Sequence, residues 1–298
     1  MLRKHTLWLG FLGAVVVSGG LLGASAQQKP EDDPLDLVRR AARNEIKANG
    51  PQQKYFMFRD QTVDKSRSVT KEMIETPQGG LATTLAINGQ PLTADQRAKD
   101  DQKLQKFAND PEARRKREQS SKEEDKRAEL MLTSLPDAFQ YTYAGTERDA
   151  NGNESVHLKF TPNPKFNPPN HETVVYQGMQ GDIYIDKKAM RIAKIDGTLF
   201  KDVDFGWGIL GRLYKGGRFI IEQKDVGGRW ETTHQVLKFN GKILMVKPLT
   251  IDSTETASDF RPVSPDMTVA QSLELLHKST ETVAENGGGV KEAENNHK

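Results

Sequence analysis

Strand-like segments fill the chain from Phe139 onward, and they constrain the fold more than any other feature of the sequence. Apolar and polar side chains alternate along these segments, and short turns rich in Gly, Asn and Pro separate them. No helical segment alternates with the strands, which excludes a parallel nucleotide-binding sheet, because parallel strands need crossover helices. The sequence therefore predicts about ten strands in one large curved antiparallel sheet, a half-barrel of the α+β class.

Three of the predicted strands precede Phe139 and form a meander. The full set covers residues 54–59, 66–76, 81–87, 139–143, 156–160, 174–176, 181–186, 190–199, 218–226, 230–239 and 242–254. Asn240-Gly241 is the strongest hairpin signal in the chain, since both residues tolerate a positive φ. It predicts a tight turn between the last two strands.

Two helices are predicted outside the charged part of the chain. Leu35 to Asn49 carries apolar residues at three- and four-residue spacing, and Gly50-Pro51 supplies a stop. The same periodicity returns in residues 268–282. Both helices are expected to cover the concave face of the sheet. The second is the amphipathic helix near the C-terminus.

Residues 93–132 form a long charged stretch that interrupts the strands. Between Asp95 and Glu129 it holds eleven Lys and Arg and ten Asp and Glu. This near balance excludes a phosphate-binding stripe, which needs net positive charge. Thr93, with Gln96 three residues later, predicts a capping box at its start. Asn109-Asp110-Pro111 divides the stretch into two helices, with Asp110 capping the second and Pro111 at its first position. Two interpretations stay open: a solvated helical hairpin stabilised by ion pairs within its helices, or an arm that docks a partner.

The first 26 residues read as a signal peptide. Arg3 and Lys4 precede an apolar run from Leu7 to Leu22, and small residues end at a cleavage site near Ala26. A transmembrane anchor is the alternative, although the run is shorter than the ~20 apolar residues that a span needs. A cleaved leader places the protein in the periplasm or elsewhere outside the cytoplasm. Without Arg3 and Lys4 the formal charge of +2 falls to zero.

The remaining chain is expected to form one main domain. Residues 27–262 are predicted to be a single half-barrel domain that includes the insert 93–132. Residues 263–284 form the C-terminal amphipathic helix, and the Gly-, Asn- and Glu-rich residues 285–298 form a disordered tail. We expect a monomer.

An apolar loop supplies most of the candidate ligand contacts. Residues 206–211 match the letters of a dinucleotide fingerprint, but Gly216-Gly217 cuts off the helix that such a site requires. The bulky side chains of the loop either plug the end of the curved sheet or meet an apolar ligand. Together with one strand tyrosine, the candidate ligand-binding residues are Tyr184, Phe205, Trp207, Ile209, Leu210 and Leu213.

No catalytic, metal or cofactor site is predicted. The chain has no Cys, and the histidines after the leader are scattered singly at positions 157, 171, 234, 277 and 297. Neither a G-x-S-x-G elbow nor a spaced Ser–His–acid set is present. A hydrolase that pairs strand carboxylates stays the third functional alternative.

Part of the chain resembles the periplasmic lipoprotein-carrier superfamily, the LolA/LolB/RseB-like group. Residues 181–186, followed by 191–195, resemble the strand–Asp–turn–strand repeat of that family, and 230–247 resembles its closing hairpin. Residues 35–49 match its opening helix. The resemblance is architectural and implies a half-barrel whose concave apolar face is covered by helices and accepts acyl chains of a lipid or lipoprotein, or an apolar segment of a partner. We expect transient membrane contact and no enzymatic activity. The alternative is an envelope interaction or regulatory protein that docks a partner through the charged helices and carries no lipid.

Overall fold

The structure is a computed structural model that describes residues 32–48, 54–76, 80–206, 208–244 and 246–285. Its helices are α1 (Pro34–Ala48), α2 (Ala94–Ala108), α3 (Pro111–Ala138), a 3₁₀ helix (Glu172–Gly178) and α4 (Val269–Glu285). Its strands are β1 (Tyr55–Asp64), β2 (Ser68–Ile74), β3 (Leu81–Ile87), β4 (Gln90–Pro91), β5 (Phe139–Arg148), β6 (Glu154–Pro162), β7 (Met179–Asp186), β8 (Ile192–Leu199), β9 (Val203–Phe205), β10 (Gly211–Leu213), β11 (Arg218–Asp225), β12 (Trp230–Ile243) and β13 (Lys247–Val263). The predicted signal peptide and the predicted tail lie outside the described residues, except for Glu285 at the end of α4.

All the strands join one antiparallel sheet. Its order is β4-β3-β2-β1-β13-β12-β11-β8-β7-β6-β5, and the short strands β9 and β10 extend it beside the end of β12. The sheet is open, because β4 and β5 stand at its two edges. Sheets of this size curl as their strands twist. The predicted α+β class with a large curved antiparallel sheet is confirmed.

The strand register assigns each side chain to one of two faces. We call the face that carries Phe58, Phe219 and Phe239 the front face, and the face that carries Met57 and Tyr184 the back face. Directly opposed residues of an antiparallel pair share a face, so the assignment passes from strand to strand across the whole sheet.

Helices cover both faces of the sheet, one face near the β5 edge and the other near the β4 edge. Helix α1 packs on β5, β7 and β8, and the end of α3 packs beside it. There Leu37, Val38 and Leu135 join the main core of the front face. Helices α2 and α4 pack at the other end on β2 and β3, where Leu104 and Leu276 meet the back face.

Strand β1 explains this division of the helices. Phe56 and Phe58 point to the front face and Met57 points to the back, and all three are buried. A strand with apolar residues on both faces needs cover on both sides. The structure thus adds a second helical layer, on the back face, to the single layer expected from the sequence.

The charged insert is capped as the sequence predicts. Thr93 and Gln96 form a capping box at α2, and Asp110 accepts hydrogen bonds from the first turn of α3. Asp100 anchors α2 to the sheet by accepting from the backbone N–H of Thr84 at 2.8 Å. Helix α3 runs past residue 132 to Ala138, so the insert is longer than predicted. Docking of a partner by these helices stays a prediction.

Two local predictions are wrong. Asn240-Gly241 lies inside β12, and β12 instead runs on to Ile243, which pairs with Lys247 at the start of β13. Gly241 is required by close packing, because a Cβ there would lie 2.2 Å from the carbonyl oxygen of Arg212 in β10. Residues 174–176 belong to the 3₁₀ helix, where the buried Tyr176 hydroxyl donates to the Met131 carbonyl at 3.1 Å.

Candidate apolar binding site

A pocket of about 610 Å³ opens on the sheet where β1 begins, β13 ends and β11 turns into β12. Residues from three distant parts of the sequence line it: Lys54, Tyr55, Phe56, Val226, Gly227, Phe260, Pro262 and Val263. Pairing of β1 with β13 brings the first and last of these groups together, with Phe56 opposite Pro262. The pocket therefore exists only in the folded chain.

Aromatic rings form one wall of the pocket. Phe260 meets Phe56 edge to face, with ring centroids 6.0 Å apart, and stacks on Phe58 at 5.2 Å. Both arrangements are favourable geometries for aromatic pairs. The wall is thus held rigidly by packing within the front face.

Arg229 fixes the turn at the side of the pocket. Its Nη2 donates to both carboxylate oxygens of Glu75, at 2.9 and 2.7 Å, and its Nη1 donates to the Lys54 carbonyl at 2.7 Å. The guanidinium also lies 4.9 Å from the ring centroid of Phe56. Arg229 is therefore engaged in holding the wall together.

Lys54 places a positive charge at the rim. Its exposed Nζ donates one hydrogen bond to the Gly227 carbonyl at 2.7 Å. An ammonium has three N–H donors. It can therefore bind an anionic head group while an apolar chain lies against the aromatic wall.

A second apolar feature lies where β12 ends and β13 begins, at the opposite end of these two strands from the pocket. Strands β9 and β10 form a hairpin in which Phe205 pairs with Gly211, and β10 pairs with the end of β12 beside it. The β12–β13 hairpin turns next to it, and the Leu244 N–H donates to the Leu210 carbonyl at 3.2 Å. We call the described residues of these two turns, 206, 208–210, 243, 244 and 246, the paired tips.

The front and back faces of the β9–β10 hairpin differ in polarity. Phe205 and Leu213 point to the front and pack in the main core, where Leu213 is fully buried. On the back, Arg212 donates to both carboxylate oxygens of Asp204, at 2.5 and 2.8 Å. The ion pair raises the pKa of Arg212. The β9–β10 hairpin thus has an apolar front face and a charged back face.

The paired tips expose aliphatic side chains to solvent. Leu244 is 63% exposed and Val246 84%, and Ile209, Leu210 and Ile243 are also exposed. Trp207, the remaining candidate of the loop, lies outside the described residues.

Tyr184 lies away from the other candidates, on the back face. Its ring stacks on His157 with centroids 4.5 Å apart, and His157 Nε2 lies 2.6 Å from Asp182 Oδ1. Burial, and then the nearby carboxylates of Glu147, Asp182 and Asp196, raises the pKa of Tyr184 to about 12.

The six candidates therefore do not form one site in the described part of the chain. Phe205 and Leu213 face the core, Ile209 and Leu210 stand at a tip, and Tyr184 lies on the opposite face. Their role in ligand binding stays a prediction. Among the described residues no group of three or more acidic and His side chains could hold a metal ion. No helix in the described ranges is long and apolar enough to cross a membrane.

Comparison with known proteins finds similarity among solved structures. No family model matches the chain, and no curated protein matches it. A DUF1329 family protein from Desulfovibrio piger matches with a TM-score of 0.29 and 12% identity, covering 80% of this chain and 97% of that one. A putative outer membrane lipoprotein-sorting protein domain from Vibrio parahaemolyticus matches with a TM-score of 0.29 and 11% identity, over 80% and 97%.

The MucA/MucB complex of Pseudomonas aeruginosa contains a third similar chain. Its TM-score is 0.24 at 11% identity, covering 82% of this chain and 97% of that one.

Sequence reasoning missed the residues of the pocket because they are far apart in the chain. One local signal was available: Tyr55 to Phe58 is an unbroken apolar run, which is typical of a strand buried on both faces. The end of the β12–β13 hairpin was missed because Asn240-Gly241 predicts a turn earlier in the chain than Ile243, where β12 ends.

Proposed function

We propose that this chain is an extracytoplasmic, non-enzymatic binding protein that holds an acyl chain of a lipid or lipoprotein in the pocket between β1, β13 and the β11–β12 turn. The pocket carries the proposal. Its volume of about 610 Å³ lies within the ~300–1,000 Å³ typical of small-ligand sites, and most of its lining side chains are apolar.

Burial of an acyl chain in such a pocket is energetically favourable. Each methylene removed from water contributes about 0.8 kcal/mol. A chain that buries about five methylenes against Phe56, Val226 and Phe260 would gain about 4 kcal/mol from this effect alone. A rigid wall adds to affinity, since little side-chain ordering is needed on binding.

The rim favours a ligand with an anionic head group. Lys54 is the cationic side chain that lines the pocket, and no carboxylate is among the lining residues. A fatty acid or an anionic lipid would place its head beside this ammonium. The predicted leader is consistent with this function, because exported proteins meet envelope lipids.

Equilibrium binding of the fluorescent fatty acid cis-parinaric acid tests the proposal. We expect saturable binding at one site, with displacement by palmitate. Val226→Trp fills the pocket and should weaken binding by at least tenfold, about 1.4 kcal/mol. Val63→Trp makes the same chemical change at an exposed position of β1 outside the pocket and should leave binding unchanged.

Both variants must first show wild-type circular dichroism and a cooperative urea transition. Absence of saturable binding by the wild-type chain contradicts the proposal. Equal affinity of Val226→Trp and Val63→Trp would place any bound chain elsewhere on the molecule.

A further inference from the structure

The paired tips gather most of the exposed aliphatic surface of the described chain. Eight large hydrophobic side chains are exposed among the described residues, and five of them belong to the tips: Ile209, Leu210, Ile243, Leu244 and Val246. Single exposed hydrophobic residues are ordinary on a protein surface. A contiguous group marks an interaction site.

We infer that the paired tips dock this protein on the surface of an anionic phospholipid bilayer, with their aliphatic side chains inserted between the lipids. The shape of the tips favours this occupant. Two neighbouring hairpins, one strand spacing of about 4.8 Å apart, extend past the last β11–β12 pair at Lys238, and their exposed side chains can enter the boundary between head groups and acyl chains.

Charge at the tips points to an anionic surface. Lys242 and Lys247 flank the β12–β13 turn, and no carboxylate pairs with either of them within the described ranges. The acidic residue nearest the other turn, Asp204, is neutralised by Arg212. Basic residues beside inserted aliphatic side chains add attraction to anionic lipids of about 1 kcal/mol each by general membrane electrostatics, roughly fivefold in affinity.

Docking through the tips fixes the orientation of the molecule. Strand β12 is 14 residues long, so the tips lie about 40 Å along the strand from the turn beside the pocket. The pocket would face away from the bilayer and stay open to soluble partners. This inference does not depend on the proposed function, since no tip residue lines the pocket.

Vesicle flotation tests the inference. The probe is vesicles of phosphatidylglycerol and phosphatidylethanolamine, compared with vesicles of phosphatidylcholine. We expect the wild-type chain to float with the anionic vesicles and to bind phosphatidylcholine at least about fivefold more weakly. The double variant Leu244→Asp/Val246→Asp should lose at least about tenfold in affinity.

Val63→Asp is the matched control, because Val63 is also an exposed aliphatic residue but lies away from the tips. It should bind anionic vesicles as the wild type does. A second variant, Lys242→Gln/Lys247→Gln, should weaken binding to anionic vesicles and flatten its salt dependence.

Three results would overturn the inference. The wild-type chain could fail to float with anionic vesicles, or the tip variant could float equally well. Sedimentation velocity without lipid could also show a dimer that the tip variant dissolves, which would make the tips an interface between two copies. Fatty-acid affinity measured on the same variants should not change, so failure here is distinguishable from failure of the pocket.

Discussion

The guanidinium of Arg191 forms two hydrogen bonds with the carboxylate of Glu45, each 2.7 Å long, across 146 residues of sequence. Glu45 also accepts from the backbone N–H of Ile192 at 2.9 Å. Both side chains are largely buried. This pair fastens α1 to the start of β8 on the front face.

Removal of Glu45 should destabilise the folded chain, because it leaves the charge of Arg191 buried and unpaired. We predict that Glu45→Ala lowers the free energy of unfolding by about 3 kcal/mol, as measured by urea denaturation. Asp36→Ala removes the exposed partner of Arg39 in the same helix and should cost about 0.5 kcal/mol or less. Similar losses for the two variants would show that the buried pair does not hold α1.

The close approach of β10 to β12 predicts that Gly241 tolerates no side chain. Gly241→Ala would bring a Cβ to 2.2 Å from the Arg212 carbonyl oxygen and should destabilise the fold by about 2 kcal/mol. Asn240→Ala removes only an exposed hydrogen bond with Thr250 and should cost less than about 1 kcal/mol. Thermal or urea unfolding compares the two. Equal tolerance at both positions would contradict the strand assignment.

Glu72 should make stability depend on pH. Burial raises the pKa of Glu72, although Arg261 and Arg59 oppose the shift. The folded chain therefore holds this proton more tightly than the unfolded chain does. The stability contributed by Glu72 is present in full below its unfolded pKa and is lost as pH rises through its folded pKa.

Urea unfolding of wild type and Glu72→Gln between about pH 4 and pH 7 measures this effect. Stability of the wild type relative to the variant should fall as pH rises. Glu123→Gln on α3 is the control. The hydrogen bond with Lys126 lowers the pKa of the exposed Glu123, so the stability of the wild type relative to this variant should rise with pH. A rise in wild-type stability relative to Glu72→Gln over this range is the contrary outcome.

Lys54 should select the head group of the ligand. Lys54→Met removes the ammonium at the rim and should weaken palmitate binding by up to about fivefold, while binding of uncharged monopalmitin stays the same. Lys65→Met provides the control, since Lys65 is exposed at the other end of β1. Equal weakening for both ligands would mean that Lys54 supports the pocket wall and not the head group.

The sequence predicts elements whose signals are local. Thr93, Gln96, Asp110 and Pro111 place the two helices of the insert because capping depends on residues within one turn. Alternation of polar and apolar residues places most strands for the same reason. The antiparallel class follows from the absence of crossover helices.

Features that depend on distant contacts could not be predicted in this way. The extended Asn240-Gly241 and the continuation of β12 to Ile243 follow from the packing of β10 on β12. The pocket needs β1 to pair with β13, and its residues share no local pattern. The back-face helices were missed because their cover is required by β1, where both faces are apolar.

A crystal structure with 16-bromopalmitate would locate a bound acyl chain, because anomalous scattering reveals the position of the bromine. We expect a bromine peak inside the pocket, against Phe56 and Phe260, with the carboxylate near Lys54 Nζ. A peak elsewhere, with the pocket holding only water, would contradict this expectation.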